Sequence, residues 1–443
     1  MFVSSLIFVV LAALPLQVPG PQASAVAAPL LVDHFTPLYH VVGSHTGDDL
    51  GFSLCALPDL DADGVQELLI GLPNRDQPAP TSGHAWVVSG RNGQVLREHY
   101  GSNYGDRFGR AVAQFPDFDL DGVPEYAVGA TWALNPLWVP GVEYPGTATL
   151  FSGATGDVLV ALGGEVEGEC FGGGLAALND VTGDGQPDFA IGSRFGGAIG
   201  GDPLTAPGKV RIFSSATFQP VHEINGTFPG DFLAGEATIP IGDLDGDGAT
   251  DVVSGAWAYP NNAMQGQVLV ISSASGTVLR TLQGEEADNR FGWSLAALPD
   301  ADGDALPDLL IGAPYAGSHQ RGRVYVVSAV SGSVLAVLQG KHAGEEFGGS
   351  VAVVGDRNGD GVVDYAIGAP GDAQSRGRVD LVSGATGAVI AAVVGSAAHE
   401  RFGHTVASLP DLDGDGVTEI GVAAIRWPAD KSFGRVTVFT YGK

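Results

Sequence analysis

The sequence predicts an all-β fold: a seven-bladed β-propeller of four-stranded antiparallel blades, closed by an N-terminal strand that completes blade 7. Three observations lead there. An Asp-rich nonapeptide begins at Asp59, Asp117, Asp180, Asp243, Asp300, Asp356 and Asp411, at intervals of 55 to 63 residues, and so regular a period marks a repeat architecture. Units 1 to 6 each hold four apolar runs of five or six residues, rich in Val, Leu and Ile and bounded by Gly, Pro, Ser or Asp. Such runs are too short for helices and read as strands. Finally, unit 7 stops at its third strand, Gly434 to Thr440, while Leu38 to Gly43, ahead of unit 1, matches a fourth strand. Pairing the two closes a ring and excludes an open solenoid.

Taken in order, residues 1–27 read as a signal peptide and residues 35–443 as the propeller, its last blade completed by roughly 38–43. The run from Leu6 to Leu14 has signal-peptide length, and Ala23-Ser24-Ala25 and Ala25-Val26-Ala27 both fit a small-residue cleavage site. Pro15, Pro19 and Pro21 oppose a membrane span. No later run is apolar for the length a spanning helix needs, so the mature chain is predicted to be secreted or extracytoplasmic, with no transmembrane segment.

Glycine stands eight residues before each loop, at Gly51, Gly109, Gly172, Gly235, Gly292, Gly348 and Gly403, and Phe precedes it in five units. This predicts a turn with a positive φ or a close backbone approach, with the ring filling the gap between sheets. In units 1 and 4, which read Leu50-Gly51 and Ala234-Gly235, Phe52 or Phe232 is expected to fill that gap. After the loop the second strand ends in a Gly-Ala-Pro-like sequence, as in Gly312-Ala313-Pro314. The third opens with Gly and usually closes in Ser, and a Gly-containing turn leads into a Val-Leu fourth strand.

The nonapeptide is the chemical signal. Alternate carboxylates in a tight loop point at one centre, which suits calcium, a cation that takes six to eight oxygens; Gly at position 6 supplies the turn. The side-chain ligands are predicted to be Asp59, Asp61, Asp63 and Glu67 in unit 1, Asp117, Asp119, Asp121 and Glu125 in unit 2, and Asp180, Thr182, Asp184 and Asp188 in unit 3. Unit 4 offers Asp243, Asp245, Asp247 and Asp251, and unit 5 offers Asp300, Asp302, Asp304 and Asp308. Unit 6 offers Asp356, Asn358, Asp360 and Asp364, and unit 7 Asp411, Asp413, Asp415 and Glu419. Position 7 (Val65, Val123, Gln186, Ala249, Leu306, Val362, Val417) would give a backbone carbonyl, so its side chain is free to vary. Up to seven Ca2+ ions are expected. Thr182 and Asn358 weaken their sites, and Ala305 replaces the favoured Gly at a cost of roughly 1 kcal/mol.

Polar turns between strands also favour Asp and Gly, but seven copies in one register go beyond turn chemistry. An EF-hand needs a ligand at position 12 and flanking helices, whereas strand-like runs such as Leu309-Leu310-Ile311 follow these loops.

Together the Phe-Gly corner, the Asp-rich loop and the Gly-Ala-Pro strand end resemble the FG-GAP repeat family, whose best-known members are the propellers of integrin α subunits. The resemblance covers roughly residues 35–443. It implies a propeller whose calcium loops join the first and second strands of each blade. It does not carry over heterodimer formation or signalling.

The formal charge is −29, yet 26 of the 50 Asp and Glu lie in the seven loops. Seven divalent ions would leave about −15, and such a surface disfavours nucleic acid. Cys55 and Cys170 occupy different repeat positions, so no disulfide is expected. No catalytic motif is present and the ten histidines form no recurring constellation; His342 and the pair His399-Glu400 read as exposed loop residues. The connections between strands two and three vary in length and are predicted to lie opposite the calcium loops. They carry Trp132, Trp138, Tyr144, Trp257, Tyr259, Tyr315 and Trp427, aromatic types favoured at binding surfaces. The same residues can instead cap the sheets and plug the central channel. The reading that follows is a non-catalytic adhesion or recognition module with a protein or glycan ligand on that face. The alternative is an extracellular enzyme, polysaccharide-active or a quinoprotein-like oxidoreductase, suggested by the Ser-Gly-Ala-Thr-Gly turns.

Overall fold

A computed structural model describes residues 30–31, 34–76, 79–132, 145–196, 206–259 and 263–442. The segment 1–27, Trp138 and Tyr144 lie outside the described residues. Seven antiparallel sheets follow one another along the chain, five of them built wholly from consecutive strands. Blade 1, for example, runs Leu54–Ala56, Leu68–Leu72, His84–Val88, Val95–Tyr100. Blade 7 runs Phe402–Ser408, Ile420–Ala424, Arg435–Tyr441, and its fourth strand is Phe35–Val42. That closing strand pairs from Phe35↔Tyr441 to Val42↔Arg435, three residues earlier than the strand predicted from Leu38. Blade 6 holds an unexpected fifth strand, Leu30–Leu31, on the edge of Val389–Val394.

Burial explains the sequence of each strand. Second strands such as Tyr126–Ala130 are buried at every position and read as unbroken apolar runs, whereas fourth strands such as Val334–Gln339 face solvent along most of their length. The apolar core is split into seven clusters, one between each pair of neighbouring blades. Leu57, Leu69, Phe108 and Tyr126 pack between blades 1 and 2, and Val41, Leu50, Ile70 and Val436 pack across the closure between blades 7 and 1.

The Phe-Gly and Gly-Ala-Pro signatures have one steric cause. A Cβ on Gly71, in the second strand of blade 1, would stand 2.0 Å from the carbonyl oxygen of Gly109 at the corner of blade 2. Paired glycines permit this approach at five interfaces, and glycine facing alanine at the other two, Gly192 with Ala234 and Gly51 with Ala423. Gly83, which opens the third strand, meets Phe108 in an isolated parallel bridge that ties blade 1 to blade 2.

Two expectations about the corners are corrected. In blade 1 Leu50 takes the Phe position, bridged to Gly434 and fully buried, while Phe52 packs against Arg110 and His404. In blade 4 Leu233 takes it, and the residue with positive φ is Ala234 (φ 57), not Gly235. The physical reason is a bulge between Leu233 and Thr238, which shifts the strand relative to the spacing counted back from the loop. Cys55 and Cys170 are both free thiols.

Candidate metal centres and the opposite face

Each nonapeptide joins the first and second strands of its blade and folds the same way. The position-1 carboxylate accepts the N–H of position 6 in all seven loops, from Gly64 at 2.9 Å through Gly416 at 2.8 Å. The position-5 carboxylate accepts the N–H of position 7, as in Val65 to Asp63 at 2.8 Å. Position 6 has positive φ throughout, including Ala305 at φ 71. No atom lies within 4 Å of a Cβ built on Gly64 or Gly416, so glycine serves the backbone angle and not space. Ala305→Gly is therefore expected to stabilise the chain by about 1 kcal/mol, read as a higher urea midpoint at unchanged m-value. Position 4 is left-handed in every loop as well, with Ala62 at φ 60 and Leu120 at φ 63 where the other five carry Gly. This second turn position was not anticipated.

The loops gather acids. One oxygen from each of Asp59, Asp61, Asp63 and Glu67 lies within 4.8 Å of the others, and the same holds for Asp117, Asp119, Asp121 and Glu125, and for Asp411, Asp413, Asp415 and Glu419. Asp243, Asp245 and Asp251 form a three-residue group in blade 4. In blade 3 the Thr182 hydroxyl lies 3.5 Å from Asp180, and in blade 6 the Asn358 oxygen accepts the Asp360 N–H at 2.8 Å.

Whether the residues fit a cation is tested by their leftover valence. Glu67, Glu125 and Glu419 are fully buried, and each uses one oxygen to accept the backbone N–H of position 2. The other oxygen, Oε1, is buried without a hydrogen-bond partner in all three. A buried acceptor left unmatched costs about 1–3 kcal/mol, and a divalent ion amid three Asp residues would satisfy it. Burial, reinforced by the neighbouring Asp charges, pushes these three glutamates up to about 7. At position 1, half-buried or exposed, the effect is opposite: backbone N–H donors hold Asp180, Asp243, Asp300 and Asp356 below the usual carboxylate range.

The glutamate shifts set a pH dependence for the metal-free fold. A carboxyl raised on folding causes no destabilisation below its ordinary value of 4.5, and its destabilisation grows as pH rises toward 7. In EDTA, Glu67→Gln is thus expected to leave the melting temperature unchanged at pH 4.5 and to raise it at pH 8. With calcium present the same substitution is expected to lower it. A mutant curve parallel to wild type across this range in EDTA would contradict the assignment.

At the other end of the blades a second acidic series emerges, which sequence reasoning missed. Asp48, Asp106, Glu169, Asp231, Glu345 and Glu400, with Asn289 in blade 5, each stand two residues before the corner Phe or Leu and are buried. They accept backbone N–H groups of the preceding turn, as Asp48 does from Ser44 at 2.9 Å and His45 at 2.8 Å. Glu400 is therefore not an exposed loop residue, whereas His399 is. His342, Glu345 and Asp372 also converge, but the Arg378 guanidinium fills that space, 3.0 Å from Glu345, 2.9 Å from Asp372 and 2.7 Å from Asp380. The cluster is already neutralised by a side chain.

Between these acids and the Phe lies one more residue, left-handed in every blade and never glycine: Asp49, Arg107, Cys170, Phe232, Arg290, Glu346 and Arg401, with φ between 50 and 59. The side chains of Arg107, Phe232 and Arg290 meet aromatic residues of the strand-two connections. Arg290 lies 4.1 Å from the Tyr315 ring, 5.2 Å from Trp257 and 5.6 Å from Trp293. Arg194 lies 4.5 Å from Phe232 and 5.4 Å from Trp257. Arg110 of blade 2 makes a two-pronged contact with Glu236 of blade 4 at 2.7 and 2.8 Å. Of the predicted aromatics, Trp132 is 39% exposed and beneath Arg107, Tyr259 and Tyr315 are half-buried, and Trp257 and Trp427 are 6% and 7% exposed. Arg110, Glu236, Arg290 and Trp293 were not singled out from sequence; their one signal was that each lies within three residues of the corner Phe or Leu.

Residues 291–327, which span the first three strands of blade 5, match the family model described as the FG-GAP repeat. That segment carries an FG-GAP repeat. The FG-GAP signature is accompanied by similarity to integrin α subunits: 28% identity over 253 residues to Integrin alpha-PS2 of Drosophila melanogaster, covering 52% of this chain and 17% of that protein. Integrin alpha-5 of Xenopus laevis is 34% identical over 211 residues, 42% of this chain and 19% of that one, and Integrin alpha-7 of Homo sapiens 34% over 180 residues, 38% and 15%. The matched region is thus less than a fifth of the length of these integrin subunits. Among solved structures, BBS1N in complex with ARL6DN, soaked with mercury, superposes with a TM-score of 0.54 at 11% identity over 92% of this chain and 97% of that one, a likeness of fold. No helix among the described residues is long and apolar enough to cross a membrane.

Proposed function

We propose that this FG-GAP propeller is an exported calcium-binding module for adhesion or recognition, without catalytic activity of its own. Calcium in the nonapeptide loops acts as a structural staple. The observation behind the calcium reading is the buried, unpartnered Oε1 of Glu67, Glu125 and Glu419 beside three Asp residues each. Asp at positions 1, 3 and 5 and the position-9 carboxylate would hold the ion, with the position-7 carbonyl and water completing an oxygen shell typical of Ca2+. The resemblance to integrin α subunits supports adhesion as the setting, and the apolar run from Leu6 to Leu14 supports export.

The ligand surface in this reading is the end of the blades opposite the loops, and its ligand is a protein or a glycan. Its anchor is Arg290, half-buried and flanked by three aromatic rings, with no ion pair among the described residues. The Trp257 indole N–H beside it is buried without an acceptor. Arg and Trp in such settings dominate binding energies elsewhere. Binding to glycan arrays and to immobilised extracellular-matrix proteins is expected to fall at least tenfold in Arg290→Gln and Trp132→Ala with the melting temperature unchanged. Equal binding by wild type and both variants would reject this surface.

A further inference from the structure

We infer that the seven loops form two classes, that those of blades 7, 1 and 2 hold calcium most tightly, and that the ions of blades 7 and 1 lock the non-covalent closure of the ring. This rests on the calcium reading above and adds to it a ranking and a purpose. The distinguishing residue is position 9: Glu67, Glu125 and Glu419 in blades 1, 2 and 7, and Asp188, Asp251, Asp308 and Asp364 in blades 3 to 6.

In the Asp blades both carboxylate oxygens are already engaged. One accepts the N–H of position 2, from Val181 at 2.9 Å, Leu244 at 2.9 Å, Ala301 at 2.7 Å and Arg357 at 2.7 Å. The other accepts an N–H from the turn after the third strand: Ser215 at 2.9 Å, Ser273 at 3.2 Å, Ala329 at 3.4 Å and Gly384 at 3.1 Å. A metal entering these loops must share oxygens already held by the backbone. The extra methylene of glutamate keeps the position-2 bond but frees Oε1, which is buried and unmatched in all three Glu blades. There the ion takes an oxygen with no competing donor and removes an unmet acceptor, so binding gains more than in the Asp loops.

The three Glu blades are consecutive around the ring and flank its weak point. The fourth strand of blade 7, Phe35–Val42, is joined to Arg435–Tyr441 by hydrogen bonds and packing alone. Leu412, at position 2 of the blade 7 loop, and Val65, at position 7 of the blade 1 loop, both sit in the apolar cluster that spans blades 7 and 1 together with Val41 and Val436. Fixing these two loops with calcium therefore fixes the packing across the closure, and loss of either ion loosens it.

The test is stepwise removal of calcium from the full mature chain by graded chelator, counting ions by native mass spectrometry and following hydrogen exchange in residues 35–42 and 435–441. Four ions are expected to leave first with the closure protected, then three, with exchange in both strands rising only at that second stage. Asp251→Glu is expected to raise the tightly held number to four, and the triple variant Glu67→Asp, Glu125→Asp, Glu419→Asp to abolish the tight class. Loss of all ions in one step, closure exchange that rises with the first ions, or an unchanged tight number in Asp251→Glu would overturn the inference while leaving calcium binding intact. If the triple variant does not fold, Asp251→Glu decides. A count of zero ions at millimolar calcium would instead sink the calcium reading itself.

Discussion

Chelation is expected to lower the melting temperature by roughly 10 °C, and added calcium to restore it. At a hundredfold excess over Kd, each ion that binds only the folded state adds about 2.7 kcal/mol. Three tight sites therefore contribute on the order of 8 kcal/mol, most of what a typical domain has to lose. A chain of this length moves its melting point by only about one degree per kcal/mol, because its unfolding entropy scales with size. Without the ion, three or four carboxylates face one another in each loop, as Asp117, Asp119, Asp121 and Glu125 do within 4.8 Å. Thermal scans in EDTA and in calcium chloride are the measurement, and superimposable curves would exclude a structural metal.

Removal of the closing strand should be still more damaging. Truncation through Val42 leaves Arg435–Tyr441 as an open edge and strips Phe35 and Val41 from two interblade clusters. Phe35 is 2% exposed and meets Phe439 and Tyr441 edge-on at 5.8 and 5.4 Å. Its replacement by Ala alone is expected to cost about 3–5 kcal/mol. The truncated chain is expected to lose its single cooperative urea transition and to elute as oligomers, since an unpaired apolar edge recruits other strands. A monomeric truncation with an unchanged midpoint would show that the ring does not depend on this pairing.

The parts legible in the sequence were those fixed by period and by chemistry confined to a few consecutive residues. The Asp loops, the strand count and the closing strand follow from local patterns that repeat seven times, and the Ala305 strain follows from one missing glycine. The harder parts depended on neighbours distant in the chain. Asp48, Glu169 and Glu400 look like solvated turn acids until the turn folds over them, and their identity drifts between Asp, Glu and Asn, so no single-letter pattern marks them. Gly235 was misplaced because a bulge moved the corner by one residue, which spacing counted back from the loop does not register. Leu30–Leu31 was hidden because two apolar residues between Pro29 and Val32 carry no strand signal of their own. The packing of Trp257 against Phe232 and Trp293 was equally out of reach, since it joins residues from separate blades.

The left-handed residue ahead of each corner Phe or Leu has a consequence for how this molecule is varied. An acid, three arginines, a cysteine, a phenylalanine and a glutamate occupy the same backbone angle within ten degrees. The energetic penalty of that angle is similar for ordinary side chains, and it is common to all seven blades. Exchanging one of these side chains for another therefore leaves the backbone frame unchanged while altering the chemistry at that end of its blade. The ring in effect holds seven side chains at one backbone angle, from the exposed Arg107 to the buried Cys170, so that burial and neighbours, and not the frame, set what each position accepts.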